Sequence, residues 1–181
     1  VENGNIVYAT GGKAISSDNN LEIEAEKFEY IKELDVLKTF KKGAASINKE
    51  NIKIIFYETI IDQKNLKIQA NGNIEIFQKE KKIRIFSDFV FYDIKKSEIE
   101  AKGNVKIIDL ENDLTIQTKK IIYDKKNGII RSNFKTSLKD KSKNDYNAEE
   151  FVFEIEKNII KIKNANFNNS NNNNFKTSLA Y

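Results

Sequence analysis

The sequence of 181 residues contains no cysteine, histidine, proline, methionine or tryptophan. Without cysteine the chain can form neither a disulfide bond nor a thiolate nucleophile, and it cannot hold a metal through sulfur. Without histidine it lacks the side chain that most often acts as a general base near neutral pH and as a metal ligand. We therefore predict a protein that is not an enzyme, with no catalytic residue, no cofactor and no metal site.

Charge of one sign and long apolar runs are scarce as well. The 31 basic and 27 acidic residues are interleaved and leave a net charge of +4. Nucleic-acid binding requires a concentrated basic surface, so nucleic acid is not a predicted partner. No apolar run approaches the roughly 20 residues of a membrane-spanning helix, and no signal peptide is visible. Both ends of the sequence interrupt strand-like patterns, and we expect a domain cut from a longer protein.

The sequence does contain a clear alternation of apolar and polar residues. From residue 66 to 76 every second residue is apolar or glycine, and residues 99–107 repeat that pattern. Such alternation is typical of a strand with one dry face and one wet face. Polar segments that favour turns separate these runs, and they lie at 16–20, 48–51, 78–82, 110–113 and 125–128. The pattern predicts an all-β protein.

The alternating runs also recur at a regular interval. The phrase Asn-Gly-Asn-Ile-Glu-Ile at 71–76 returns as Lys-Gly-Asn-Val-Lys-Ile at 102–107, which is 31 residues later. We interpret the chain as about five units of about 31 residues with two strands each. Because one such unit cannot close a core, neighbouring units must stack. An antiparallel roll of two facing sheets and a parallel β-solenoid both fit, and apolar–polar runs of ten or more residues favour the roll.

Two recurring residue types have both a structural and a functional interpretation. Gly72 and Gly103 fall on the dry side of the alternation, where a glycine either lets a long strand bend or leaves room in the interior; bending is favoured. Asp62, Asp93 and Asp124 recur every 31 residues at the ends of apolar runs. We predict that they cap turns, and the alternative is an acid–base ladder of a glycan hydrolase.

Residues 66–130 resemble the OstA repeat, the β-jellyroll module of the OstA/LptA-like lipopolysaccharide transport family. The family phrase of alanine, any residue and Gly-Asn-Val occurs at 101–105 and, with isoleucine in place of valine, at 70–74, and its later steps match Ser87-Asp88 and Tyr92-Asp93. Within the family the resemblance is greatest to the periplasmic N-terminal domain of the outer-membrane translocon LptD. The soluble bridge protein LptA is the alternative, because the cysteines of many LptD domains are missing here.

The resemblance implies a function as well as a fold. It implies a jellyroll domain over residues 1–167, followed at 168–181 by an Asn-rich loop and the start of a further segment. The ligand would be lipopolysaccharide, with its acyl chains in an interior slot and its phosphates near rim lysines. Neighbouring Lpt modules would pair with the edge strands, and an LptD would add an outer-membrane barrel in the same chain and a lipoprotein partner. The protein would be periplasmic, and attached to the outer membrane if it is an LptD.

The alternation and the resemblance together select the residues that would line the slot. They are Phe28, Tyr30, Ile61, Ile74, Ile76, Ile85, Val90, Tyr92, Val105, Ile107, Ile116, Ile121, Tyr123 and Phe153. The sequence pattern is equally consistent with a closed core made of the same side chains. A structural or adhesive β-repeat protein without a lipid ligand is therefore the alternative function.

Overall fold

The computed structural model describes residues 2–16, 20–168 and 174–180, and this part of the chain is almost entirely β-strand. Its sixteen strands are β1 (Glu2–Asn3), β2 (Ile6–Ser16), β3 (Leu21–Ile31), β4 (Val36–Ile47), β5 (Ile52–Phe56), β6 (Glu58–Asp62), β7 (Lys67–Gln78), β8 (Ile83–Asp93), β9 (Glu98–Asp109), β10 (Leu114–Asp124), β11 (Ile129–Ser132), β12 (Thr136–Lys139), β13 (Asp145–Ala148), β14 (Glu150–Glu154), β15 (Ile159–Asn168) and β16 (Asn174–Ala180). Two 3-10 turns, at Asn48–Glu50 and Ile155–Lys157, are its only helical elements.

All sixteen strands belong to one antiparallel sheet whose strands follow each other nearly in chain order. β2 is followed by β3 and β4, and β7 to β10 form the centre of the sheet. The prediction of an all-β antiparallel roll is confirmed, and the parallel solenoid is excluded by the antiparallel register of every pair. The number of repeat units stays an interpretation.

Each long strand bends near its middle, so the sheet folds over on itself. The register shifts at a bulge between Asn71 and Ile74 of β7, where Gly72 and Asn73 stand opposite the single residue Asp88 of β8. Elsewhere two short strands take the place of one bent strand. β5 pairs with one half of β4, and β6 pairs with the other half. We call the two halves of the folded sheet the first arm, which holds β5, and the second arm, which holds β6.

The hairpin turns form two rows, one at the end of each arm. The first turn row contains the described turns at 48–51, 79–82, 110–113 and 140–144. The second turn row contains the turns at 32–35, 63–66, 94–97, 125–128 and 155–158. Residues 17–19 and 169–173 lie outside the described residues, and so does most of the predicted Asn-rich loop.

Backbone hydrogen bonds join consecutive turns of the first row as far as the turn at 110–113, and consecutive turns throughout the second row. In the first row Lys79 N donates to Asn51 O at 3.0 Å, and Leu110 N donates to Lys82 O at 3.0 Å. In the second row the same bond recurs from Ile94 N to Leu66 O at 3.0 Å. The accepting residues have left-handed backbone, with φ of 51° at both Asn51 and Lys82 and 57° at Leu66. This shared conformation turns each accepting carbonyl towards the neighbouring turn.

Gly72 and Gly103 lie at the bends and do not make room in the interior. Their φ angles are 78° and 74°, in the left-handed region that side chains disfavour. A Cβ at Gly72 would come 2.9 Å from the Cβ of Tyr57, whose side chain is exposed. The alternation wrongly placed these glycines on the dry side: the buried positions on both sides of each bulge keep the spacing of two, but the left-handed backbone at the glycine turns that one position away from the interior. The preferred interpretation, that each glycine lets a strand bend, agrees with this geometry.

The aspartates that recur every 31 residues cap turns of the second row. Asp62 Oδ1 accepts from Asn65 N at 2.9 Å, and Asp124 Oδ1 accepts from Asn127 N at 3.1 Å. The pKa of Asp62 is held below its ordinary value mainly by a hydrogen bond from the side-chain amide of Asn65, and also by one from the Asn65 backbone. Asn127 lowers the pKa of Asp124 in the same way. This arrangement matches the turn-capping prediction, because each carboxylate is already held by its own turn.

The sheet continues beyond the predicted domain boundary. β16 pairs with β15 from Asn168↔Asn174 to Ile162↔Ala180. The division of the chain at residue 167 stays a prediction, although this pairing places residues 174–180 in the same sheet. In the described part of the chain, no helix is long and apolar enough to cross a membrane.

Candidate functional site: the apolar interior and its two turn rows

The inner face of the second arm carries one continuous row of large side chains near the second turn row. Each member of the row stands directly opposite the next one on the neighbouring strand. In order along the sheet, the row consists of Tyr30, Leu37, Ile61, Ile68, Tyr92, Ile99, Tyr123, Ile130, Phe153 and Ile160. Every second member of this row is 30 or 31 residues from the next in the sequence: Tyr30, Ile61, Tyr92, Tyr123 and Phe153.

The inner face of the first arm carries a matching row. Its cross-strand neighbours are Ile23, Ala45, Ile54, Ile76, Ile85, Ile107, Ile116, Leu138, Tyr146 and Phe167. Phe28, Val90 and Ile121 lie closer to the bend on the second arm, and Ile74 and Val105 lie closer to the bend on the first. The structure thus brings all fourteen predicted residues to the inner face.

The middle of the interior is closed. Of the fourteen residues only Tyr30 is partly exposed, and the others belong to one hydrophobic core. Tyr92 and Phe153 are 0% exposed, and Tyr123 is 2% exposed. Side chains from the two arms therefore pack against each other over most of the length of the roll. Lipid contact by these residues is not tested by their burial and stays a prediction.

At the end of the interior nearest the N-terminus the packing opens into a cavity of about 320 Å³. Phe28 and Tyr30 of β3 line one wall, and Leu37 of β4 continues it. β2 contributes Val7, Ala9, Ala14 and Ile15. The small side chains of β2 explain the opening, because Ala9 and Ala14 leave the space that larger residues fill elsewhere along the inner face.

A second opening lies at the far end of the interior. This cavity of about 270 Å³ is lined by Leu114, Leu138 and Tyr146 on the first arm and by Ile160 on β15. The Asp140 carboxylate stands at its rim and accepts a hydrogen bond from the Tyr146 hydroxyl at 2.9 Å. The apolar interior therefore runs between a cavity at each end of the roll.

Polar side chains join the two turn rows over the closed middle. Glu50 of the first row accepts a hydrogen bond from the Tyr92 hydroxyl, and its Oε2 lies 2.9 Å from Lys125 Nζ of the second row. Lys81 of the first row forms an ion pair with Glu156 of the second. These contacts show that the ends of the two arms face each other.

The buried tyrosines of the second arm are kept in their neutral form. Burial is the main reason that the pKa of Tyr92 is raised far above its ordinary value, and the bond to Glu50 adds to the shift. Burial likewise raises the pKa of Tyr123 to about 12, with contributions from Glu156 and Glu50. A phenolate would therefore be strongly disfavoured in the interior.

Sequence reasoning missed Glu50, five of the ten residues of the second-arm row and six of the ten residues of the first-arm row. The alternation already placed Ile68 and Ile99 on the dry face, although they were not among the predicted slot residues, and extending it to β5 would have found Ile54. Glu50 had no such signal, because it lies in a polar turn and contacts residues 42 and 75 positions away. Within the described ranges no group of three acidic side chains is placed to hold a metal ion.

Comparison with known proteins supports the fold. No protein-family model and no curated protein matches the sequence. Among solved structures the chain is similar to LptH of Pseudomonas aeruginosa, the LptA-homologous periplasmic component of a lipopolysaccharide transport device, with a TM-score of 0.57 and 11% identity. The match covers 64% of this chain and 83% of LptH. The chain therefore has the antiparallel β-jellyroll fold of an LptA-like protein.

Proposed function

We propose that this chain is a periplasmic module of lipopolysaccharide transport that shields acyl chains in its interior and passes the lipid towards the outer membrane. The fold shared with LptH supports this proposal. The observation that carries it is the apolar cavity formed by β2, β3 and β4, because this cavity continues directly into the two inner rows. The OstA-like phrases at 70–74 and 101–105 add sequence support.

The cavity is suited to the end of an alkyl chain. Phe28, Leu37 and Ile23 offer an apolar wall, while Lys13 and Gln63 lie at its border. Each methylene that leaves water for such a wall contributes about 0.8 kcal/mol. We assign Phe28 and Tyr30 to the first lipid contact. The remaining predicted residues, from Ile61 to Phe153, would contact acyl chains as these advance between the arms.

Neighbouring modules would dock on the two edges of the sheet. β2 is the outer long strand at one end, and β16 lies beyond β15 at the other. An exposed strand edge is a template for pairing with another chain. If the chain is an LptD, the branch that its sequence was predicted to resemble most, a barrel in the same chain and a lipoprotein partner would follow, and the domain would be attached to the outer membrane.

Edge pairing can be tested with single cysteines, because the natural sequence has none. Lys13 on β2 and Lys176 on β16 are exposed. We expect Lys13→Cys and Lys176→Cys proteins to form a disulfide-linked heterodimer when mixed under oxidising conditions. Lys53→Cys on the central strand β5 is the control and should give only background linkage. Equal linkage by all three variants would contradict pairing through the edges.

A structural β-repeat protein without a lipid ligand is the second candidate. The complete burial of Tyr92, Val90 and Ile116 favours it, since a purely structural roll needs nothing more than a closed core. The two candidates differ in what enters the cavity. A structural protein would not take up acyl chains at Phe28.

Photo-crosslinking separates the candidates. Phe28 is replaced by p-benzoyl-phenylalanine, and Tyr57, an aromatic residue that is 55% exposed, is replaced in the matched control. Purified lipopolysaccharide is added and the sample is irradiated. Lipid transport predicts an adduct at position 28 and little or none at position 57. Absence of an adduct at position 28 in a folded protein would exclude the proposed lipid contact.

A further inference from the structure

Glu50 joins the first turn row to the second arm through two side-chain contacts. It belongs to the first turn row, yet its carboxylate contacts two residues of the second arm, Tyr92 and Lys125. The Lys125 side chain is 11% exposed and that of Glu50 is 20% exposed. By contrast, the Lys41–Glu26 pair on neighbouring strands is more than half exposed on both sides. Glu50 thus forms a partly desolvated contact, which is stronger than a pair in open water.

The contacts of Glu50 run from one turn row to the opposite arm, whereas the backbone bonds of the turns run along a single row. Among residues 20–168, every backbone hydrogen bond between two hairpin turns joins turns of the same row. The two rows are held to each other by side chains: Glu50 with Tyr92 and Lys125, Lys81 with Glu156, and Asn158 with Asn112 at 3.0 Å. Separating the rows therefore breaks side-chain contacts and leaves both backbone ladders intact.

The bends provide a place for the arms to pivot. Gly72-Asn73 in β7 and Gly103-Asn104 in β9 have left-handed backbone at the bulges, where the regular ladder is interrupted. Hinges commonly consist of a few residues that absorb backbone rotation. A movement of the arms about the bends would expose Tyr92 and the rest of the inner row, unless an alkyl chain took the place of the opposite arm.

We propose that Glu50 is a latch between the two turn rows, and that its release opens the roll sideways so that an alkyl chain can enter the closed middle. This inference rests on the proposed function for the identity of the ligand, but the latch itself is a property of the protein alone. The alkyl chain replaces the apolar contacts that the separated arms lose. The cavity at β2 then serves as the first point of entry, and the latch controls movement beyond it.

The test measures the separation of the rows directly. Exposed Lys49 and Lys126, next to the latch residues, are replaced by cysteine and carry nitroxide spin labels, whose separation is measured by double electron–electron resonance. Glu50→Gln keeps the shape of the side chain and removes its charge. The matched control is Glu111→Gln, because Glu111 lies in the first row and pairs with Lys82 of the same row.

We expect Glu50→Gln to add a longer distance to the distribution, with about a tenfold rise in the open fraction, because two charge-assisted contacts are weakened. Glu111→Gln should match the natural protein. A 12-carbon fatty acid with a terminal diazirine should label the interior more strongly in Glu50→Gln. An unchanged distance distribution, or a longer distance without increased labelling, would overturn the proposal.

A locked variant tests the opposite direction. Asn112 and Asn158 contact each other across the rows, and their replacement by cysteine followed by a short bismaleimide linker should hold the rows together. Labelling of the middle should then fall below that of the unlinked protein, and unchanged labelling would overturn the latch. If the fatty acid enters Glu50→Gln but lipopolysaccharide gives no adduct at Phe28 in any variant, the latch is supported and the proposed ligand is wrong.

Discussion

The side chain of Asp88 lies directly against the α-carbon of Gly103, at the bend between the two arms. A Cβ added at Gly103 would clash with Asp88 Oδ2 and would come 2.9 Å from Asp88 Cβ. The Asn104 side-chain amide donates to the same Oδ2 at 2.8 Å, which holds the carboxylate in place. The glycine is therefore required both by its left-handed backbone and by the approach of the neighbouring strand.

Replacing Gly103 by alanine should destabilise the fold by more than the backbone strain alone. Left-handed backbone costs a side chain about 1–2 kcal/mol, and the clash with Asp88 adds to this. Gly11→Ala is the matched control, since Gly11 also has left-handed backbone but no atom within 4 Å of the added Cβ. Urea unfolding should show a larger loss for Gly103→Ala. Equal losses would mean that Asp88 moves aside without penalty.

Ile61 and Ile60 are neighbours on β6 with opposite environments. Ile61 is 1% exposed in the inner row, whereas Ile60 is 40% exposed on the outer face. Ile61→Ala should lower the free energy of unfolding by about 2–5 kcal/mol, because it leaves a cavity in a packed core. Ile60→Ala should change it by about 0.5 kcal/mol or less. Similar values for the two variants in urea unfolding would contradict the closed core.

Stability should fall at alkaline pH because of the buried tyrosines. The pKa of Tyr123 is raised from 10.0 to about 12, so the folded state holds a proton that the unfolded chain releases. Its contribution is fully present below pH 10 and is lost as the pH rises towards 12, by about 2–3 kcal/mol. Tyr123→Phe should show a smaller loss between pH 8 and pH 11. Tyr57→Phe, at an exposed position, should behave like the natural protein in the same urea titrations.

The aspartate caps should make the fold sensitive to acid. Hydrogen bonds from Asn127 lower the pKa of Asp124 in the folded state, so its contribution to stability is present above the ordinary value of 3.8. That contribution is lost as the pH falls through the lowered pKa. The free energy of unfolding of Asp124→Asn should therefore change less between pH 6 and pH 3 than that of the natural protein. Asp113→Asn, in the exposed part of the turn at 110–113, is the control. Its free energy of unfolding should change between pH 6 and pH 3 by the same amount as that of the natural protein.

The sequence was sufficient to predict the architecture because the signals of the fold are local. The alternation around Ile74 and Ile76 identifies a strand, and the recurrence of Tyr92 at Tyr123 identifies stacked units. The register then follows, since a shift by one residue would turn every inner side chain outwards. Asp62 and Asp124 could be interpreted as caps for the same reason, as each acts within its own turn.

Features that depend on distant residues could not be predicted. Whether the interior is open depends on how closely the two arms approach each other, and the sequence of a single strand contains no information on that distance. The contact of Glu50 with Tyr92 and Lys125 spans the two arms, and Glu50 looks like any polar turn residue in the sequence. The predicted orientation of Gly103 was wrong for a related reason, because the left-handed backbone at the bulge turns this position away from the inner face while the residues on both sides keep the alternation.

The stacked turns set a limit on how this chain can be altered. Hairpin loops usually accept insertions, but here Lys79 N and Leu110 N each bond to the turn before them, so adding one residue to the turn at 79–82 would disturb both neighbours. The length of each turn that bonds to its neighbours is thus fixed by its position in the row as much as by its own strands. Epitope tags or reporter peptides should accordingly be tolerated at exposed Lys141–Ser142, within the longer turn of the first row, and rejected at the turns of 79–82 and 94–97.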